Sequence, residues 1–101
     1  DNIHSFDVCR AFEEFYENPR CGEVYNLGGG RGNSVSILEA IKMAEDVTGK
    51  KLEYEYLEQN RKGDHICYIS DLSKLKMHFP KWSITKSLQD IFREIAEVAF
   101  K

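Results

Sequence analysis

The chain has 101 residues, of which 42% are hydrophobic and 31% charged, and its formal net charge is −3. This length predicts one domain, and this composition excludes a disordered or collagen-like chain. The acidic balance argues against a general nucleic-acid or anionic-membrane binder, so any phosphate site must be local. No apolar run approaches the roughly 20 residues that cross a bilayer, and no signal-peptide pattern occurs.

Three cysteines and three histidines are widely separated along the chain. They form neither a C-x-x-C pair nor a closely spaced ligand set, which argues against structural zinc and predicts no metal site. Reduced thiols are typical of the cytoplasm, which is the location we expect. Cys9 and Cys67 are expected to pack as small hydrophobic side chains.

Helical periodicity begins near the start of the chain. Val8, Phe12 and Phe15 recur at helical spacing and predict a first helix over about residues 5–17, which Pro19 ends. The last helix, from about residue 85 onward, is predicted by a stripe of five apolar side chains: Leu88, Ile91, Phe92, Ile95 and Val98.

Two helices are predicted between these. Ser36 and Glu39 form a capping-box pattern that starts one helix, and Gly49 is placed to end it. Asp71 is placed to cap a short helix that runs through Leu75.

Residues 23–27 and 51–58 have strand-like composition, and the second stretch alternates apolar with charged side chains. The element order therefore predicts a small α/β fold with two short parallel strands, joined by a right-handed crossover, and about four helices. A two-stranded parallel sheet is poorly protected, which suggests a missing neighbouring domain. The absence of an initiator methionine before Asp1 likewise suggests a piece of a longer protein.

The glycines at 28–30 lie between a predicted strand and a predicted helix, where a phosphate could bind. The dinucleotide fingerprint requires glycine at its first, third and sixth positions, but the sixth position is Asn33. No glycine-lysine-hydroxyl triplet of a Walker loop follows. We therefore favour a tight turn that lets the backbone pass close to a neighbour over direct cofactor binding.

The stretch 60–68 combines a cation, a carboxylate, an imidazole and a phenol outside any predicted helix. Arg61 could donate hydrogen bonds to two phosphate oxygens at once, and Asp64 could accept hydrogen bonds from vicinal hydroxyls. This combination suits a sugar phosphate or a nucleotide sugar. The alternative is a solvated turn with an i, i+3 ion pair between these two residues. His4 is either a further polar contact or a structural histidine.

A complete active site is not found in these residues. No tyrosine is followed by a lysine four positions later, so the tyrosine–lysine base of many nicotinamide sugar enzymes is missing. No serine–histidine–aspartate or metal set replaces it. We predict neither a catalytic nor a cofactor-binding residue within the chain.

Five motifs occur in order along nearly the whole chain: IHSFDV over 3–8 with Ala11, GEVYNLGGG over 22–30, Arg61-x-Gly63-Asp64, Asp71-x-Ser73-Lys74, and the connector to Ser87-Leu88. Together they resemble the C-terminal, substrate-binding part of the extended short-chain dehydrogenase/reductases that act on nucleotide sugars. The resemblance implies NAD on a separate N-terminal Rossmann domain and epimerisation by transient oxidation and re-reduction of a sugar carbon. It also implies a homo-oligomer when full-length.

The resemblance assigns roles to residues of the chain. Arg61 would clamp the nucleotide pyrophosphate, Asp64 would contact the ribose hydroxyls, and Tyr68 with Cys67 would lie near the sugar. His4 is a further candidate contact. The family's NAD loop, its tyrosine–lysine pair and the arginine that usually precedes the position of Asp1 are not in the chain. The chain alone is therefore expected to carry half a substrate cleft and to be inactive. Two competing interpretations stay open. One is another nucleotide-sugar enzyme of the same family, a dehydratase or a 4-epimerase, and the other is a non-catalytic interaction module with exposed aromatic residues.

Overall fold

The computed structural model describes residues 1–99, which form four α-helices connected by irregular segments. In chain order these are α1 (Ser5–Glu17), α2 (Ile37–Thr48), α3 (Ser73–His78) and α4 (Leu88–Ala99), with a short 3₁₀ turn at Arg31–Asn33. None of these α-helices has the length and apolar composition required to traverse a membrane within residues 1–99.

The predicted α/β fold with two parallel strands is wrong, because residues 1–99 contain no strand and no sheet. An extended segment becomes a strand only when a neighbour takes up its backbone N–H and C=O groups. Residues 51–58 are exposed throughout and pair with no neighbouring strand within residues 1–99. Residues 23–27 instead attach to the core through the side chains of Tyr25 and Leu27.

The local helix signals are confirmed for α1 and α2. Helix α1 covers the predicted residues. At the start of α2 the Ser36 hydroxyl accepts from the Glu39 N–H at 3.2 Å, and the Glu39 carboxylate accepts from the Ser36 N–H at 3.1 Å. Gly49 ends this helix in the left-handed region at φ +71°, a conformation that glycine adopts without the steric cost of a Cβ.

The other two helices depart from their predicted bounds. The predicted cap of α3 by Asp71 is wrong, because the residue at the N-cap is Leu72 and it makes no side-chain cap hydrogen bond. Asp71 lies one residue earlier and accepts from the Ser73 N–H at 3.0 Å, and α3 continues past Leu75 to His78.

Helix α4 starts later than predicted, at Leu88. Ser87 caps it, since the Ser87 hydroxyl accepts from the Asp90 N–H at 3.2 Å and the Asp90 carboxylate accepts from the Ser87 N–H at 3.0 Å.

The core lies where α1, α3 and the connector before α4 meet. Trp82 is 1% exposed and is its largest side chain. The remaining buried apolar members are Ala11, Leu72, Leu75 and Phe79. Helix α2 packs against α4 beside this core.

The three cysteines, including Cys9 and Cys67, are exposed, so the expectation of buried thiols at those two positions is wrong. Asp7 and Ala11 are the buried residues of α1. Cys9 lies midway between them in sequence, and the helical repeat turns it toward the opposite face of the helix.

Candidate functional site

Arg61 and Asp64 are joined across a tight turn. Asp64 Oδ1 lies 2.8 Å from Arg61 Nη2 and accepts from Arg61 Nε at 3.0 Å. Asp64 Oδ2 accepts from the backbone N–H of Arg61 at 2.9 Å, and the Asp64 N–H donates back to the Arg61 carbonyl at 3.2 Å. Gly63, at φ +85°, supplies the left-handed backbone that closes the turn.

This turn is open to solvent, and the Arg61 side chain is 90% exposed. The i, i+3 ion pair of the solvated-turn alternative is therefore present. Exposed ion pairs contribute little to stability, about 0–1 kcal/mol, so the pair has a small structural role. Nucleotide-sugar binding by these two residues stays a prediction.

Cys67 and Tyr68 line a different feature, a hollow of about 580 Å³ between residues 65–69 and the start of α2. Asp1 also lines it, and its carboxylate accepts from the N–H and the hydroxyl of Ser70. The start of the chain therefore fixes the end of the stretch that carries Tyr68. Arg61 and Asp64 do not line this hollow.

His4 lies away from these residues and bridges two helices. Its Nδ1 accepts from the Phe6 N–H at 2.9 Å and caps α1, while its Nε2 lies 2.7 Å from the Glu94 carboxylate on α4. Because Nδ1 accepts a backbone N–H, the imidazole proton is on Nε2 and donates to Glu94. The structure thus gives His4 helix-joining contacts and does not bring it to Arg61 or Tyr68.

Residues 53–69 form one exposed segment that carries four of the five candidates. Its hydrogen bonds are confined to the Arg61–Asp64 turn. The segment is attached at its ends, where Glu45 accepts from the Leu52 N–H at 3.3 Å and Asp1 accepts from Ser70. Five of its apolar or aromatic side chains are more than half exposed: Tyr54, Tyr56, Leu57, Ile66 and Tyr68.

The glycine run is a close-packed turn, as predicted. The glycines at 28–30 are buried, and a Cβ on Gly29 would overlap the Asn2 carbonyl oxygen. A Cβ on Gly28 would lie 2.5 Å from an Asp1 carboxylate oxygen. The chain's own backbone therefore fills the space that a dinucleotide pyrophosphate would need, and these residues do not fit NAD.

Metal-ligating side chains are dispersed. In the part of the chain that the structure describes, no three His, Cys, Asp or Glu side chains are grouped closely enough to hold a metal ion.

Sequence reasoning assigned no role to Asp7, although it lies within the first quoted motif. Its side chain is fully buried and accepts hydrogen bonds from the Thr85 hydroxyl and from the backbone N–H groups of Thr85 and Lys86. Burial raises the pKa of this carboxyl, but these hydrogen bonds outweigh burial and bring the pKa below its ordinary value. One sequence signal could have indicated its burial. Asp7 lies four residues before Ala11, which places both residues on the face of α1 that packs into the core.

Comparison with known proteins gives two informative similarities. The chain is 32% identical over 94 residues to the UDP-glucose 4-epimerase of Bacillus subtilis (strain 168), a match of 90% of this chain and 26% of that protein. It is 31% identical over 98 residues to UDP-glucose 4-epimerase 4 of Oryza sativa subsp. japonica, or 93% of this chain and 26% of that protein.

The chain thus spans about a quarter of the length of these curated relatives. No family model matches it, and no solved structure matches it significantly. The similarity to the two relatives supports the resemblance to nucleotide-sugar epimerases.

Proposed function

We propose that this chain is the substrate-binding part of an NAD-dependent nucleotide-sugar epimerase of the extended short-chain dehydrogenase/reductase family. The observation that carries the proposal is 31–32% identity, over 90% or more of the chain, to two proteins named as UDP-glucose 4-epimerases. The same chain carries the ordered motifs, including Arg61-x-Gly63-Asp64. NAD would bind a Rossmann domain outside these residues, since the glycine turn does not fit it.

The exposed apolar side chains of residues 53–69 support the proposal that a further domain packs against this segment. Exposed apolar patches of this kind mark interaction surfaces in soluble proteins. A chain that matches a quarter of an epimerase would expose surface that the other three quarters cover. We propose that the cofactor domain of the same polypeptide covers this segment and completes the cleft, and that the full-length enzyme is cytoplasmic and homo-oligomeric.

Within this cleft, we assign Arg61 to the substrate pyrophosphate. Tyr68 and Cys67 would face the sugar from the hollow that they line with the start of α2. Asp64, which is bonded to Arg61 in the same turn, would contact the ribose hydroxyls. His4, at the N-terminal end of α1, is a further proposed contact.

The finer assignment is CDP-tyvelose (CDP-paratose) 2-epimerase. The stretches NPRCGEVYNLGGG over 18–30 and NRKGDH over 60–65 support it. The second candidate is a 4-epimerase of UDP-glucose, favoured by the names of the two relatives. Turnover of CDP-tyvelose and of UDP-glucose by the full-length polypeptide distinguishes the two, and activity on neither would favour the non-catalytic interaction module.

The role of Arg61 is tested by Arg61→Ala in the full-length polypeptide. Loss of a charge-assisted hydrogen bond should weaken nucleotide-sugar binding by about 1.5–3 kcal/mol. Lys62→Ala is the matched control, because it removes an exposed cation from the same turn. An unchanged KM and kcat in Arg61→Ala would remove the assignment.

The half-cleft is tested on the chain alone. With the remaining contacts absent, CDP should bind with a Kd in the millimolar range or weaker, about −4 kcal/mol. An NMR titration that gives a micromolar Kd would contradict the proposal that the cleft is completed by another domain.

A further inference from the structure

The end of the segment that carries Tyr68 is held by a residue from the opposite end of the chain. Asp1 Oδ2 accepts from the Ser70 N–H at 2.6 Å and also from the Ser70 hydroxyl. Ser70 is 7% exposed, whereas Tyr68 is 60% exposed. Within residues 1–99, no hydrogen bond joins residues 65–69 to the rest of the fold. The Asp1 carboxylate is therefore the hydrogen-bonded anchor nearest to Tyr68 along the chain.

Asp1 is itself fixed by the close-packed glycine turn. Its backbone carbonyl accepts from the Gly29 N–H at 3.4 Å. The absence of a side chain at Gly28 leaves the room that the carboxylate needs, since a Cβ there would lie 2.5 Å from Asp1 Oδ2 and 2.6 Å from Ser70 Oγ. Ser70 is buried and Asp1 is half-buried, so solvent competes less for this charged hydrogen bond than for one on the open surface. The bond can therefore hold the position of the chain at Ser70.

We infer that Asp1 is a positioning residue of the proposed epimerase, which fixes the end of the segment so that Tyr68 stays at the hollow of about 580 Å³. This inference rests on the proposed function and deepens it. Asp1 also lines the hollow, but its Oδ2 already accepts two hydrogen bonds from Ser70, so it holds the wall rather than the ligand. Tyr68 lies much closer to Ser70 along the chain than Arg61 does. Asp1 should therefore act on the sugar end of the ligand more than on the diphosphate.

The test is Asp1→Ala in the full-length polypeptide, with affinities measured by calorimetry. Each nucleotide sugar is compared with its own nucleoside diphosphate, CDP-tyvelose with CDP and UDP-glucose with UDP. We expect the nucleotide sugar to bind about 2- to 13-fold more weakly, which is the cost of ordering one side chain again on binding, and the nucleoside diphosphate to be nearly unaffected. Asp46→Ala, which removes an exposed carboxylate from α2, is the control and should change neither affinity.

Two further variants separate positioning from a general loss of structure. Ser70→Ala removes the hydroxyl but keeps the backbone N–H that donates to Asp1, so it should cause a smaller loss of the same kind. It carries the test alone if Asp1→Ala does not fold. With Tyr68→Ala already present, Asp1→Ala should weaken nucleotide-sugar binding no further, because no phenol remains to be positioned.

Hydrogen exchange of the same polypeptides reports the anchor without any ligand. The Ser70 amide should exchange about 10-fold faster or more in Asp1→Ala, since its charged acceptor is lost. The inference is overturned if this amide stays protected, if nucleotide sugar and nucleoside diphosphate weaken equally, or if Asp1→Ala acts undiminished without Tyr68. Failure of the proposed function gives a different result, in which the parent polypeptide binds neither nucleotide sugar while the exchange of Ser70 still depends on Asp1.

Discussion

Asp7 and Thr85 are joined across 78 positions of sequence, with the Asp7 carboxylate accepting from the Thr85 hydroxyl at 2.6 Å. The same carboxylate accepts from the backbone N–H groups of Thr85 and Lys86 at 3.1 and 3.0 Å. The backbone carbonyl of Asp7 accepts from Trp82 Nε1 at 2.9 Å. One residue of α1 therefore fixes the connector that leads into α4, and its carboxylate satisfies two backbone N–H groups of that connector.

Asp7→Asn should lower the free energy of unfolding by about 3 kcal/mol. The amide keeps the shape of the side chain, but it loses the charge and turns an N–H₂ group toward buried N–H donors, which are costly to leave unpaired. Urea unfolding followed by circular dichroism measures the change. Asp46→Asn, on the exposed surface of α2, is the control and should change stability by less than about 0.5 kcal/mol. Equal effects of the two variants would refute the role of Asp7.

The pH dependence of stability should report the same carboxylate. Its burial raises the pKa, but the hydrogen bonds from Thr85 and Lys86 lower it further than burial raises it, to below the ordinary value of 3.8. A folded-state pKa below the unfolded one means that the unfolded chain binds the proton more readily in this range. The stabilisation is therefore complete above pH 3.8 and is lost as the pH falls through the folded-state pKa.

The stability difference between the parent chain and Asp7→Asn should accordingly stay constant from about pH 5 to 7 and shrink below about pH 4. Chemical unfolding at each pH measures it. A difference that grows on acidification would contradict the assignment.

Trp82→Phe separates the hydrogen bond of the indole from its packing. The phenyl ring keeps much of the buried apolar surface but leaves the Asp7 carbonyl without its donor, which should cost about 1–3 kcal/mol. Trp82→Ala also removes the packing and should cost about 3–5 kcal/mol. Phe12, which is 65% exposed on α1, gives the control Phe12→Leu, expected to be close to neutral. A Trp82→Phe variant as stable as the parent would show that the indole N–H is dispensable.

Gly29→Ala tests the close-packed glycine turn. The added methyl would overlap the Asn2 carbonyl oxygen, which belongs to the backbone and cannot move away cheaply, so a loss of about 1–3 kcal/mol or more is expected. Gly32→Ala is the matched control, since a Cβ there meets nothing within 4 Å. Thermal unfolding of both variants decides the matter, and similar melting temperatures would contradict the packing described.

The predicted α/β class failed at the two extended segments. The alternation in residues 51–58 is typical of a half-exposed strand, but whether it pairs depends on a neighbour that the pattern does not specify. In the structure that neighbour is absent from residues 1–99, and the whole stretch is exposed. The core was also only partly predictable, since the contact of Trp82 with Asp7 joins residues 75 positions apart.

The sequence by itself determined the features that arise within one turn of chain. Three such features are the capping box of Ser36 with Glu39, the left-handed cap at Gly49, and the ion pair of Arg61 with Asp64. Each involves residues that are close in sequence, so it can be predicted without knowledge of the fold. Only the tertiary structure decided which carboxylate is buried and which residue accepts the hydrogen bond of the Trp82 indole. Both depend on contacts between segments that are far apart in the sequence, and no local sequence pattern specifies which distant segments meet.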